Sequence, residues 1–118
     1  MGLTLQKLLT LKEERKKILD SGLDGIIRQL KDIGALKIIV FGSYVSDTIG
    51  RWSDLDILVI MPPTKTGREW TKIIYDELER GVACDILCYT QEEFEATLPV
   101  SAFLRHAVKT GRIVYEKD

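Results

Sequence analysis

Three aspartates stand in or beside apolar runs of the sequence, where carboxylates are uncommon. Asp54 and Asp56 open the run Asp-Leu-Asp-Ile-Leu-Val-Ile-Met, and Asp85 interrupts a second apolar run. If residues 54–61 form a strand, side chains alternate between its faces, so Asp54 and Asp56 lie roughly 7 Å apart on one face. Two carboxylates at that distance are unfavourable unless a cation or a group of hydrogen-bond donors stabilises both charges.

A divalent cation would relieve this repulsion. Hard oxygen ligands suit Mg²⁺ or Mn²⁺, and Mg²⁺ is usually held by a few carboxylates together with substrate phosphates. If the two runs form neighbouring strands, we expect Asp54, Asp56 and Asp85 to be metal ligands for phosphoryl or nucleotidyl transfer, with Asp85 also the general base. Taken alone, Asp54 is better explained as a turn or cap residue, so the interpretation depends on the three together.

Gly42 and Ser43 follow directly after the β-rich run Lys-Ile-Ile-Val-Phe. A glycine lets the backbone approach a phosphate, and a serine hydroxyl at a helix N-terminus can donate a hydrogen bond to it. Gly-Ser also occurs in turns of every kind, so its weight comes from the nearby aspartates. We predict that Gly42 and Ser43 bind phosphate.

Hydrophobic periodicity predicts alternating helices and strands around these residues. Residues 3–34 have helical spacing, and whether Asp20-Ser21-Gly22 divides them into two helices stays open. The sequence further predicts strands at 37–41, 54–61 and 82–89, helices at 67–80, from 90 and at 102–110, and a short last strand at 112–116.

Size and charge limit the function classes. A chain of 118 residues with 45% hydrophobic residues is predicted to form a single domain over residues 1–118. A net charge of −1 gives no general attraction to nucleic acid or to an anionic membrane. Because no apolar segment approaches the roughly 20 residues needed to cross a bilayer, we expect a cytoplasmic protein. Cys84 and Cys88 are expected to be reduced core residues.

The combination of motifs resembles a known superfamily. Gly42-Ser43, ten intervening residues and Asp54-Leu55-Asp56 resemble the signature of the DNA polymerase beta nucleotidyltransferases, with Asp85 in the position of the third carboxylate. Nearly the whole chain is similar to the minimal nucleotidyltransferase domains of that superfamily. The resemblance implies an α/β (α+β) fold with a small mixed sheet flanked by helices, and Mg²⁺ and ATP or another nucleoside triphosphate as ligands.

The same resemblance implies a protein partner. Minimal nucleotidyltransferases are frequently paired with a separately encoded HEPN protein in toxin–antitoxin systems. In such pairs the nucleotidyltransferase is the antitoxin and can transfer AMP to a tyrosine of the HEPN toxin, a ribonuclease.

One segment departs from the family pattern. After Gly-Ser the family usually has Arg-Ala-Arg-Gly or a similar run, whereas this chain has Tyr-Val-Ser-Asp. The customary arginine is therefore missing at Ser46, and Asp47 adds negative charge. Arg51 is the candidate substitute for binding the nucleotide, with a solvated loop arginine as the alternative.

Other side chains have weaker claims to the site. Lys65 and Arg68 are candidates to face the nucleotide, although basic surface residues are usually solvated. His106 is given no catalytic role, and Trp70 is interpreted as a packing residue.

Two main hypotheses follow. In the first, the protein is an enzyme that transfers a nucleoside monophosphate to a hydroxyl, on a protein partner. In the second, it is a binding module that neutralises a HEPN partner by contact and keeps a weakened nucleotide site. Transfer to RNA ranks last, since the chain has no evident RNA-binding region. Self-association of the chain stays open.

Overall fold

The computed structural model describes residues 4–46 and 54–118, which form a mixed four-stranded sheet flanked by helices. The predicted fold class is confirmed. In chain order the elements are α1 (Leu5–Ile33), β1 (Lys37–Phe41), α2 (Ser43–Ser46), β2 (Leu55–Met61), α3 (Gly67–Glu77), β3 (Cys84–Thr90), α4 (Gln91–Thr97), a 3₁₀ turn (Leu98–Val100), α5 (Ala102–Thr110) and β4 (Arg112–Glu116).

The sheet has the strand order β3-β2-β1-β4. β1 pairs antiparallel with both β2 and β4, whereas β2 and β3 are parallel. A parallel pair needs a crossover connection, which α3 supplies here. The parallel pair places the start of β3 beside the start of β2, and both aspartate-bearing ends therefore lie at one edge of the sheet.

Helices cover the two faces of the sheet unequally. On one face, alternate strand residues such as Ile57 and Val59 pack against α1 and α3 in the larger apolar core. On the other face, Leu58 and Ile60 pack against Leu104 and other residues of α5. The aspartates of β2 and β3 share this second face, beyond the end of its apolar cluster.

The N-terminal region is a single helix, which resolves the alternative left open by the sequence. Thr4 caps its start and Gly34, with a φ of 124°, follows its end. Gly22 does not break the helix because it lies against Val82, where a β-carbon would be 2.7 Å from Cγ2. Close packing of α1 on the segment before β3 therefore explains this glycine.

Several element boundaries differ from the predictions. β2 begins at Leu55 and leaves Asp54 just outside it, and β3 runs over Cys84–Thr90 instead of 82–89. α3 ends at Glu77, three residues before Arg80. The Gln29 side chain accepts a hydrogen bond from the Glu79 N–H at 2.7 Å and donates one to the Glu79 carbonyl at 2.6 Å. This clamp from α1 holds residue 79 outside the helix.

Other predicted elements are confirmed. β1, α5 and β4 have the predicted bounds, and Thr90 and Glu93 form the predicted capping box at the start of α4. Cys84 and Cys88 are free and buried. Within the described ranges, no helix is both long enough and apolar enough to span a membrane.

Candidate active site

Asp56 and Asp85 are direct neighbours on the parallel strands β2 and β3. Residues paired in register on parallel strands point to the same face of the sheet. Asp56 is half-buried and Asp85 is exposed. Asp54 is exposed and lies two residues before Asp56. Between them, the Leu55 N–H donates to the Ala83 carbonyl at 3.1 Å and joins this segment to the residues before β3. The fold thus gathers the three predicted carboxylates at one edge of the sheet.

The electrostatics of Asp56 reflect this crowding. Burial is the main cause that raises the pKa of its carboxyl above the usual value, followed by repulsion from the charge of Asp85 and then from Asp54. A carboxylate with two like charges nearby is stabilised by any cation that binds between them. A cation bound at this edge would therefore stabilise the charged form of Asp56.

The turn after β1 lies against Asp56. Phe41 pairs with Asp56 in the antiparallel register, and Gly42 follows with a φ of 77°, in the left-handed region that favours glycine. A β-carbon on Gly42 would overlap the Oδ2 atom of Asp56. The missing side chain allows the carboxylate to lie directly against the backbone of the turn.

Tyr44 fixes this turn to the rest of the fold. The turn continues into α2, in which the Ser46 N–H donates to the Gly42 carbonyl at 3.1 Å. The buried Tyr44 hydroxyl donates to the Asp20 carboxylate of α1, and the Arg112 guanidinium lies 5.7 Å from the Tyr44 ring centre. Burial first, and then the bond to Asp20, raises the pKa of Tyr44. The turn is thus anchored from two elements.

Two concavities open beside the aspartates. A cleft of about 340 Å³ lies between the β1–α2 turn and α5, lined by Phe41, Gly42, Ser46, Asp56, Phe103, His106, Ala107 and Thr110. A more open depression of about 510 Å³ contains Asp54 and Asp85 together with Arg80 and residues 81–84. Asp56 therefore faces the narrow cleft, whereas the two exposed aspartates face open solvent.

The carboxylates fit a divalent cation that shares its ligands with a substrate. Within residues 4–46 and 54–118, no three His, Cys, Asp or Glu side chains converge closely enough to form a ready-made metal cage. The repulsion on Asp56 nevertheless shows that the three carboxylates are close enough to interact. Mg²⁺ commonly binds through one or two carboxylates and takes its other ligands from phosphates and water. The donor set suits that arrangement.

The remaining predicted residues have different outcomes. Ser43 begins α2 but does not line the cleft, whereas Ser46 does. Arg51 and Asp47 lie outside the described residues. The candidate role of Lys65 at the nucleotide is wrong, because the Lys65 Nζ atom lies 4.9 Å above the Trp70 ring, in the loop after the far end of β2.

Trp70 and Arg68 lie in the first turns of α3, beyond the same end of β2. Arg68 belongs to α3, which follows the loop, so it too is far from the aspartates. The Trp70 ring is buried and its Nε1 donates to the Pro62 carbonyl at 2.9 Å. The prediction that Trp70 is a packing residue is confirmed.

His106 is the cleft residue that the sequence analysis set aside. It lines the cleft from α5, in a stripe of residues spaced i, i+3, i+4 and i+7: Phe103, His106, Ala107 and Thr110. Such a stripe is one face of a helix. That periodicity was the signal in the sequence, although it does not reveal what the face lies against.

Comparisons with known proteins give one family model and two solved structures that are similar to this chain. The family model described as nucleotidyltransferase domain matches residues 23–110. One similar solved structure is a toxin–antitoxin complex with AMP-PNP, at a TM-score of 0.51 and 23% identity, covering 80% of this chain and 73% of the other. Another is a candidate nucleotidyltransferase from Sulfolobus solfataricus, at a TM-score of 0.50 and 13% identity, covering 98% and 92%.

At these identities the two structures support the fold. No curated protein sequence matches the chain. The family model spans most of the 118 residues, including β1, the Gly42 turn and both aspartate-bearing strands. The chain therefore belongs to the nucleotidyltransferase domain family.

Proposed function

We propose that this protein transfers a nucleoside monophosphate, AMP from ATP, to a hydroxyl group of a protein partner. The observation that carries the proposal is the register of Asp56 with Asp85, on one face and beside the Gly42 turn. Two adjacent carboxylates next to a turn that lacks a side chain offer a place for a cation and for the phosphates that accompany it.

The reaction would use these residues as follows. The oxygen of the acceptor hydroxyl attacks the α-phosphorus of the triphosphate, and the bond from that phosphorus to the bridging oxygen breaks, so pyrophosphate leaves. Asp85 takes the hydroxyl proton, because its exposed position lets a group on a large partner reach it. Asp54, Asp56 and Asp85 would together hold the divalent cation, Mg²⁺, which would neutralise charge on the phosphates. The backbone at Gly42, which lines the cleft, holds phosphate oxygens, and the hydroxyl of Ser43, the next residue, holds one outside the cleft lining.

The proposed partner is a HEPN-domain toxin that this protein neutralises as the antitoxin. Support comes from the solved toxin–antitoxin complex with AMP-PNP that shares the fold and from the family resemblance of the sequence. The depression of about 510 Å³ around Asp54 and Asp85 is open to solvent, where a side chain of another protein could approach. The acceptor would enter there while the triphosphate occupies the cleft beside Asp56.

A second candidate function is neutralisation by contact alone. It is favoured by the absence of a ready-made cluster of metal ligands within the described ranges and by the short side chain of Ser46 in the cleft. In this case nucleotide would bind weakly, and transfer would not be needed for neutralisation.

An assay with α-³²P-labelled ATP distinguishes the two functions. The chain is incubated with Mg²⁺, the label and the proposed HEPN partner, and both protein labelling and ribonuclease activity are measured. Asp56→Asn is compared with Asp76→Asn, which removes an exposed carboxylate from α3 away from the site. We expect Asp56→Asn to lose labelling and neutralisation together, with Asp76→Asn unchanged. Full neutralisation by Asp56→Asn would establish the contact-only function.

A further inference from the structure

The wall of the cleft opposite Asp56 is held in place by packing. Leu104 and Ala107 of α5 are buried against the sheet. The exposed Phe103 ring contacts Phe41 edge-to-face, with ring centres 5.8 Å apart. These contacts fix α5 relative to β1, so His106 stays on the cleft side of the helix.

The lining of the cleft lacks the basic side chains that usually bind an anionic ligand. Its lining contains the carboxylate of Asp56 but, over the described part of the chain, neither lysine nor arginine. The neighbouring Arg105 donates from Nη1 to the carbonyls of Leu98 and Pro99, at 3.1 and 2.6 Å, which turns it toward the start of α5. His106 is the lining side chain that can carry a positive charge.

We propose that His106 is a nucleotide-binding residue whose imidazole donates a hydrogen bond to a non-bridging oxygen of the triphosphate. This inference rests on the proposed function and adds a residue to it. Ser46 and Thr110 line the same cleft with hydroxyl groups that can donate to neighbouring phosphate oxygens. The phosphates then lie between two walls, with the turn at Gly42 on one side and α5 on the other.

The arrangement has a clear consequence for binding. A phosphate chain placed beside Asp56 is repelled by the carboxylate. A cation held by the aspartates would offset this repulsion on the side of the chain that faces the sheet. A donor from α5 stabilises the other side of the chain. Because His106 is exposed before a ligand binds, it can contact the phosphates without any rearrangement of the core.

Equilibrium binding of ATP and of inorganic triphosphate, both with Mg²⁺, tests the proposal. His106→Ala is compared with Lys109→Ala, which removes a definite positive charge from α5 at a position that does not line the cleft. Since a hydrogen bond to a charged group stabilises by about 1.5–3 kcal/mol, we expect His106→Ala to raise the Kd of both ligands at least about tenfold. His106→Gln, which keeps a neutral donor, should have an intermediate Kd.

The outcomes separate this inference from the function on which it rests. Thermal unfolding without ligand should be the same for His106→Ala and wild type, since the side chain is exposed. If wild type binds ATP and Asp56→Asn does not, while His106→Ala binds like Lys109→Ala, then His106 is not a binding residue and the proposed function stands. If wild type itself binds neither ligand, both the proposed function and this inference fail.

Discussion

The backbone of Gly42 lies so close to Asp56 that a β-carbon at position 42 would overlap the Asp56 carboxylate. Gly42 lies in the turn after β1 and Asp56 lies in β2, so their contact joins this turn to the acidic edge of the sheet. The positive φ of Gly42 is a second, independent reason for glycine at this position. A single residue type thus satisfies both the conformation of the turn and the space that the aspartate requires.

Replacing this glycine tests the contact. We expect Gly42→Ala to lower the free energy of unfolding by about 1–3 kcal/mol, since alanine is strained at this φ, and to weaken binding of ATP as Asp56 is displaced. Gly81→Ala is the control, because a β-carbon there meets nothing within 4 Å. Urea denaturation and ATP titration provide the two measurements. Equal stability of the two variants would contradict the close approach.

The pH dependence of stability should report the crowding at Asp56. Its pKa is raised above the ordinary 3.8 in the folded protein, so the folded state binds this proton more tightly than the unfolded state does. The free energy of unfolding therefore decreases as the pH rises from about the ordinary pKa through the raised one.

Asp56→Asn removes this contribution. In metal-free buffer, the stability of the variant relative to wild type should increase across that pH interval and then stay constant, and added Mg²⁺ should reduce the difference. Urea denaturation at a series of pH values measures it, with Asp76→Asn as the control for simple charge removal. A difference that is flat with pH would show that burial and the repulsion from Asp85 and Asp54 do not raise the pKa of Asp56 in the folded protein.

Two glycines of α1 offer a matched test of the packing beneath β3. A β-carbon at Gly22 would crowd the stiff side chain of Val82, whereas one at Gly25 meets nothing within 4 Å. We expect Gly22→Ala to destabilise by about 1–3 kcal/mol through overpacking and Gly25→Ala to stabilise by about 0.5–1 kcal/mol through helix propensity. Thermal unfolding of the two variants checks both signs. Stabilisation by both would refute the close contact of α1 with Val82.

The bond between Tyr44 and Asp20 should stabilise the turn from below. We expect Tyr44→Phe to lower the free energy of unfolding by about 1–3 kcal/mol, because the partly buried Asp20 loses its donor. Combining it with Asp20→Ala in a double-mutant cycle isolates the pair. Additive losses would show that the two side chains do not interact.

The alternation of side chains in the predicted strand is sufficient to place Asp56 on the same face as Leu58 and Ile60. Caps and glycines likewise predicted β1, α5 and the start of α4. These features depend on neighbours within a few positions of the chain. Which strands would pair was a further step that the sequence left conditional, and the pairing of Asp56 with Asp85 depends on it.

The differences arise where distant residues decide the local structure. Gly22 suggests a helix break in the sequence, but in the structure it lies inside α1 and allows Val82 to pack closely. α3 ends before the predicted residue because the Gln29 side chain binds the backbone of Glu79. His106 has no local signal for a site, since the turn that it faces is about 60 positions away in the sequence. Sequence periodicity predicts which residues share a face of a helix, but it does not predict which part of the fold that face contacts.

The parallel register of β2 and β3 also bears on how the sheet is assembled. A shift of β3 by one residue would move Asp85 to the face that holds Cys84 and Ile86, both buried against the helices. A charged group placed there without a partner would be strongly unfavourable. The correct alignment keeps both aspartates at the solvated edge. Asp85 therefore also disfavours a misaligned sheet while the chain folds, before any ligand is present.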